Sequence, residues 1–374
     1  MQSVTFSQRH QALDLLIRHE DETPPKFQGR SWLERSPKWL LCIPLVAQWL
    51  YLSARYKSLT LPTSANPNIT AGGLVGEGKL EYFAGMGPLA LAATAPHCAL
   101  STARSYTALE LDELINNAGL KFPLIVKPDV GLCGYGVRRV ADHSDLLEYL
   151  SQFPANEWVV LQQWLAQEGE AGIFYVREPG SEHGSIDGLT LRYFPRVTGD
   201  GLHNLRDLIA RDARAQRARN SARHSCNLDL ARIPEAGEVV RLATIGSTRV
   251  GGLYRDGADC ITPQLIKTID DIARDMPHFY FGRFDVRFDT LADLRAGTGI
   301  SIMEVNGAGS EAIQAWDPAT GVWAGLGMIF KKQRTLFAIG DAVRRKGFNP
   351  VGVWALAKLN HRQNRLIAQY PTSN

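Results

Sequence analysis

Cysteine clusters, a strong charge imbalance and a long hydrophobic run are all missing from this 374-residue chain. Five cysteines, at 42, 98, 133, 226 and 260, stand far apart, with no CxxC pair and no Cys/His cluster. Such spacing suggests neither a zinc site nor a disulfide framework. Free thiols in a reducing cytoplasm are expected. The formal net charge is only +3, too mild to argue for nucleic acid. The basic tract RDARAQRARNSARH (211–224) lacks interleaved aromatics and reads as a solvated helix or loop. No Ser/His/acid or Cys/His arrangement is evident: His97, His203 and His224 are scattered and take no role, and Cys133 has no base near it in sequence.

The most apolar stretch, WLLCIPLVAQWLYLSARYKS from Trp39, is shorter than the roughly 20 residues a spanning helix needs, and Pro44 and Gln48 interrupt it. It reads as a core helix broken at the proline. The competing reading is an interfacial helix, with Trp39, Trp49 and Tyr51 beside Arg55 and Lys57. The polar, amphipathic start carries no signal-peptide pattern.

What is present is ordinary soluble-protein composition, 45% apolar and 21% charged, in a chain long enough for two or three domains. Residues 1 to about 60 read as mainly helical, and 61–83 as a Pro/Asn/Gly-rich loop. A helix follows Thr107, with Glu110 completing a capping box and Gly119 ending it. Strands are predicted at LIVKP, VRRV, WVVLQQWL, AGIFYVR, LTLRYF, FGRFDVRFD and SIMEVNG. Helices are predicted at HSDLLEYLSQF with Ser144 as N-cap, from DGLHNLRDLI into the basic tract, at TPQLIKTIDDIARDM, and over the tail from about residue 320. The pattern is α+β with antiparallel hairpins.

Two stretches carry chemistry. In PLIVKPDVGLCGYGV an apolar strand ends on Lys127, and Gly131, Gly134 and Gly136 follow. Glycines let the backbone approach a ligand with N–H groups outward, forming an anion nest, and a lysine at a strand end supplies a point charge for polyphosphate. The loop lacks the GK[ST] ending of a P-loop. It is GxxGxG between strands, not GxGxxG opening a helix. A glycine-rich hairpin with a chance lysine stays open as the alternative.

In GRFDVRFD and SIMEVNGAGSE, pairing of the two strands brings Asp285 near Glu304 and Asn306, which sit two apart and so on one face. Two carboxylates and an amide oxygen are hard ligands that suit Mg²⁺. The alternative is a buried salt bridge of Asp285 with Arg283 or Arg287.

The order of lysine–glycine loop, hinge strand, basic strand and D…E-x-N resembles the ATP-grasp fold, with D-alanine–D-alanine ligases its nearest familiar members. The resemblance covers about residues 76–318 and rests on FPLIVKPDVGLCGYGV, FPRVTGDGLHNLRDLI, YFGRFDVRF and IMEVNG. It implies two α+β subdomains clamping ATP, here with a mainly helical N-terminal region (1–95), a central subdomain with the lid loop (96–165), a C-terminal subdomain with the metal site (166–330) and a basic helical tail (331–374). It implies that Lys127 and Lys79 bind ATP phosphates and that Gly131, Gly134 and Gly136 form a mobile lid. Gln163, Trp164 and Leu165 would form the adenine hinge, Gln162 standing where members often carry an acid, and Glu170 would hold the ribose hydroxyls.

Arg192 and Arg283 would lie at the transferred phosphoryl group, with Arg196 a further candidate for that cleft. Asp285, Glu304 and Asn306 would hold Mg²⁺ or Mn²⁺, and Arg241 and Arg249 would take the substrate carboxylate or acylphosphate. The implied activity is ATP-dependent carboxylate–amine ligation through an acylphosphate, on small carboxylate and amine substrates such as amino acids or a peptide. Alternatives are modification of a peptide or protein carboxylate, and a catalytically silent ATP-binding module docked at a membrane. A homodimer is the default expectation.

Overall fold

The computed structural model describes residues 30–219 and 228–373. The expectations for residues 1–29, and for His224 and Cys226, lie outside the described residues. Eleven strands run β1 His97–Ser101, β2 Leu124–Pro128, β3 Arg138–Val140, β4 Trp158–Gln163, β5 Gly169–Val176, β6 Ser185–Tyr193, β7 Arg196–Thr198, β8 Val239–Arg241, β9 Leu253–Asp256, β10 Phe281–Phe288 and β11 Ser301–Asn306. They form a four-stranded sheet β1-β4-β2-β3, a five-stranded sheet β11-β10-β5-β6-β9 and a β7-β8 ribbon. All strand pairs are antiparallel. The α+β class follows.

Each large sheet buries one face on its own core. Beneath the first lie Leu124, Val126 and Leu161 with Leu111, Ile115 and Leu146 from the helices Ala108–Asn117 and His143–Gln152. Beneath the second lie Ile173, Phe284, Val286 and Phe288 with Leu265, Ile269 and Ile272 of the helix Pro263–Arg274. In β10 this follows from strict alternation: Phe284, Val286 and Phe288 turn to the core, so Arg283, Asp285 and Arg287 share the opposite face. In β11 alternation alone would set Ile302, Glu304 and Asn306 on one face. A bulge changes the phase, because Asp285 pairs with Glu304 but Val286 pairs with Ile302. One extra residue turns Ile302 to the core and leaves Glu304 and Asn306 beside Asp285. The sheets are joined where the Ala95 N–H donates to the Ile302 carbonyl at 2.9 Å.

Several local expectations are corrected. The apolar stretch is one continuous helix, Lys38–Tyr56, with Pro44 inside it, and much of its surface is exposed rather than in the core. Proline forfeits one backbone bond there without ending the helix. Residues Lys79–Ala84 are helical, so the loop stops at Gly78. The helix His143–Gln152 is capped by Asp142, whose side chain accepts from the Asp145 N–H, not by Ser144. The helix before the basic tract, Leu205–Arg211, ends sooner than expected. Cys42, Cys98, Cys133 and Cys260 are free thiols. Among the described residues, no helix is long and apolar enough to cross a membrane.

Candidate active site

The strand LIVKP ends on a cation because oxygens wait for it. Lys127 Nζ donates to Gln162 Oε1 on β4 at 2.7 Å and to the Met303 carbonyl on β11 at 2.9 Å. The second bond ties the first sheet to the strand that carries Glu304. Burial pushes the Lys127 ammonium down to about 8; Lys79 adds to that shift, while Glu304 and Asp285 oppose it. Gln162, which stands where an acid is common in the family it resembles, is here a buried acceptor for this lysine.

Lys79 is no surface lysine: its Nζ lies 3.2 Å from Glu304 Oε1 and donates to the Asp129 carbonyl at 3.3 Å. Burial opposes ionisation of Glu304, but Lys79 and Lys127 outweigh it and hold the carboxyl below its ordinary value. The glycine loop passes directly over Lys79, and a Cβ on Gly131 would sit 3.1 Å from its Nζ. Gly134 and Gly136 have φ of +73° and +72°, which a side chain would strain. The C-terminal tail pins this loop: Tyr370 Oη donates to the Val130 carbonyl at 2.5 Å, and the Gly136 N–H donates to Ser373 Oγ at 3.0 Å.

On the second sheet the acids and arginines interlock. Arg283 donates to Asp285 through Nε at 2.6 Å and Nη2 at 3.0 Å. Arg192 bridges Asp285 Oδ1 at 3.0 Å and Glu170 Oε1 at 3.1 Å. Arg287 Nη2 lies 3.3 Å from Glu170 Oε2. Burial would raise the Asp285 carboxyl, but Arg192 and Arg283 bring it below its ordinary value. Gly172, opposite Asp285 across the β5–β10 pair, makes room: a Cβ there would meet Ile313 at 2.7 Å and Arg283 at 3.1 Å.

The salt-bridge alternative for Asp285 is thus realised with Arg283 and Arg192, and Arg287 goes to Glu170 instead. Glu170 is buried in β5 with both oxygens paired to arginines, neither a solvated loop acid nor a carboxylate open to ribose. Two residues earlier, Glu168 is more open and pairs with Arg241 at 3.2 Å.

By its chemistry the donor set suits a hard cation, Asp285 and Glu304 being cross-strand neighbours with Asn306 Nδ2 3.3 Å from Asp285 Oδ2, but here both Asp285 oxygens are taken by Arg283 and Arg192 and Glu304 pairs with Lys79. The set comprises two acids and an amide; no group of three or more His, Cys, Asp or Glu among the described residues is arranged for a metal.

The remaining sequence candidates divide. Gln163 closes β4, its N–H donating to the Pro96 carbonyl at 2.8 Å, and its side-chain oxygen accepts from the Lys121 N–H at 2.9 Å. Trp164 and Leu165 follow as the chain leaves the sheet, with Arg139 5.4 Å over the Trp164 ring. Arg249 borders the glycine loop, 4.8 Å over the Tyr135 ring. Arg241 lies on the β7–β8 ribbon opposite Arg196, its guanidinium 3.4 Å from the Phe194 ring centroid and donating to Ala243 and Thr244 carbonyls.

Two charged groups escaped the sequence reading. Lys332, half-buried on the helix Val322–Arg345, stands 5.6 Å over the Phe174 ring, and Phe174 pairs across strands with Arg283. Burial pushes its ammonium down to about 7, with Arg283 lowering it further and Glu311 opposing. No motif marks it, since it reaches the site from a helix that reads as tail. Glu77, just before Lys79, is pushed up to about 7 by burial, against the pull of Lys79.

No protein-family model matches the sequence, and no curated protein does. The chain is similar to a bifunctional glutathione synthetase from Pasteurella multocida, at 16% identity and a TM-score of 0.37 over 71% of this chain, and it spans 38% of that protein's length. It is also similar to D-alanine–D-alanine ligase from Bacillus anthracis, at 15% identity and a TM-score of 0.41 over 75% of this chain and 72% of that one.

Proposed function

We propose that this chain is an ATP-dependent carboxylate–amine ligase of the ATP-grasp type. The observation that carries the reading is the convergence of Lys79 and Lys127 with the acid pair Asp285 and Glu304 beneath the glycine loop, where the two sheets meet. A triphosphate needs cations from more than one element, and a hard metal needs acids within reach of the same phosphates.

A carboxylate is a poor acyl donor because oxide is a bad leaving group. Phosphorylation by ATP gives an acylphosphate and ADP. Attack by an amine then gives the amide and releases phosphate. Lys79, Lys127 and the loop N–H groups of Gly131 and Gly134 bind the phosphates, Gly136 shaping the loop while its own N–H donates to Ser373 Oγ, and Arg283 and Arg192 balance charge on the transferred group. Asp285, Glu304 and Asn306 would hold Mg²⁺ or Mn²⁺, which would supply positive charge against the phosphates. Gln163, Trp164 and Leu165 pass the adenine, and Arg249 faces the substrate side of the loop. The substrates are small carboxylates and amines, amino acids or a short peptide.

The test is phosphate release with ATP and Mg²⁺ across a panel of amino acids and short peptides. Release that needs an added carboxylate and amine supports the proposal, and dependence on a peptide names the peptide-modifying variant. Tight ATP binding with no turnover under any combination overturns it in favour of a silent nucleotide-binding module.

A further inference from the structure

The helix Lys38–Tyr56 wears its amphipathicity inside out. Trp39 is 68% exposed, Ile43 57% and Tyr51 62%, with Val46 and Leu50 completing a stripe at helical spacing. Between Trp39 and Ala54 this helix holds no charged residue. Its polar groups turn the other way. Gln48 donates to the Phe330 carbonyl at 2.8 Å, and the Trp49 indole donates to the Leu59 carbonyl at 3.1 Å. An outward apolar face about 22 Å long, at 1.5 Å per residue, is costly in water.

The ends of the stripe say what covers it. Arg55 and Lys57 close it, and with Arg344 and Arg345 they line a groove that also holds Tyr56 and Asp341. Lys346 follows directly in sequence. Four cations therefore line the groove against one acid, Asp341, which pairs with Arg344 and Arg345. The segment 38–57 contains Lys38, Arg55 and Lys57 and no acid at all. A second copy laid along it in either direction brings like charges together, whereas an anionic surface complements it.

The neighbouring helix Val322–Arg345 runs parallel, as Gln333 to Leu45, Phe337 to Trp49 and Arg344 to Tyr56 contacts keep a constant spacing. That alignment sets Trp323, 84% exposed, at the Trp39 end. Tryptophan and tyrosine rings with basic side chains at one end suit the headgroup region of a bilayer.

We propose that the outward face of Lys38–Tyr56 docks on an anionic lipid surface, the helix lying in the interface and the Arg55–Lys57–Arg344–Arg345 groove receiving lipid phosphates. The helix lies on the bilayer rather than crossing it.

The test is co-sedimentation of the full chain with phosphatidylcholine vesicles, with and without phosphatidylserine, read together with tryptophan fluorescence. The expected result is pelleting that requires phosphatidylserine, weakens with salt and shifts tryptophan emission to the blue. The double variant Ile43→Asp/Leu50→Asp should lose at least tenfold in binding while keeping the wild-type circular dichroism spectrum. Arg55→Glu/Lys57→Glu should lose the dependence on phosphatidylserine. Wild-type protein that stays in the supernatant with every vesicle overturns the proposal. So does a dimer that Ile43→Asp/Leu50→Asp dissolves without any vesicle binding by the wild type. Either outcome leaves the ligase reading untouched, because ATP turnover is measured without lipid.

Discussion

Lys127 donates to the backbone carbonyl of Met303 at 2.9 Å, so the strand that ends in the glycine loop is fastened to the strand that carries Glu304. Its ammonium stands within the field of both Glu304 and Asp285. A bound triphosphate would meet that cation and the acid pair together. Replacing Lys127 with Met, or Glu304 with Gln, is expected to lower ATP turnover by about 100-fold or more, the scale seen when one preorganised charge is removed. Phosphate release measures the loss and circular dichroism verifies the fold. Wild-type turnover in both variants would remove these residues from the reaction.

The same lysine sets a pH dependence. Its value in the folded chain is about 8, against 10.5 for a free side chain. As pH rises through 8 the cation is lost, so ATP affinity should fall. Stability moves the other way: the folded state binds fewer protons than the unfolded chain between 8 and 10.5, so the penalty of burying the ammonium is full below 8 and disappears toward 10.5. Titrating ATP affinity and urea midpoints over this window checks both signs. Affinity independent of pH would mean that Lys127 does not meet the nucleotide.

Arg192 holds two buried carboxylates at once, Glu170 and Asp285. Removing one partner of a buried pair costs about 3–5 kcal/mol, so Arg192→Met should fall by that amount in a urea melt. Asp285 lies below its ordinary value partly because of Arg192. Its contribution is present above the usual carboxyl range and lost as pH falls through the folded value. In Arg192→Met that folded value rises, and acid unfolding should begin at higher pH. An unchanged acid midpoint would show that Arg283 alone supports Asp285.

Lys332 is desolvated, and its ammonium is pushed down to about 7. Methionine keeps the stem and discards the charge, so Lys332→Met should be as stable as the wild type or more so, while phosphate release drops by about tenfold. Lower stability with full turnover would make it a packing residue only.

Much of the site was legible locally. The alternation in FGRFDVRF sets Arg283, Asp285 and Arg287 on one face whatever the rest of the chain does, because side chains alternate along any strand. The Thr107–Glu110 box and the GxxGxG loop between strands are likewise local: Thr107 Oγ1 accepts from the Glu110 N–H, and the loop joins β2 to β3. What escaped depended on distant partners. Ser144 lost the cap to Asp142, two residues earlier, because the helix begins at His143. The apolar stretch from Trp39 read as core because composition does not reveal which side of a helix meets a neighbour.

The sequence by itself determined β2 to β6, β10 and β11, the glycine loop and which residues of β10 share a face, since these follow from backbone geometry over a few residues, whereas β1, β7 and β9 became visible only once their partner strands were in place. Only the tertiary structure decided that Arg192 reaches Asp285 across 93 positions and Lys127 reaches Met303 across 176, that a bulge turns Glu304 and Asn306 toward Asp285, and that Lys332 arrives from the last third of the chain. The physical reason is range. Periodicity sets how side chains point within one element, but the partner of a buried charge is chosen by packing of elements far apart along the chain, where desolvation makes a pairing necessary without naming it.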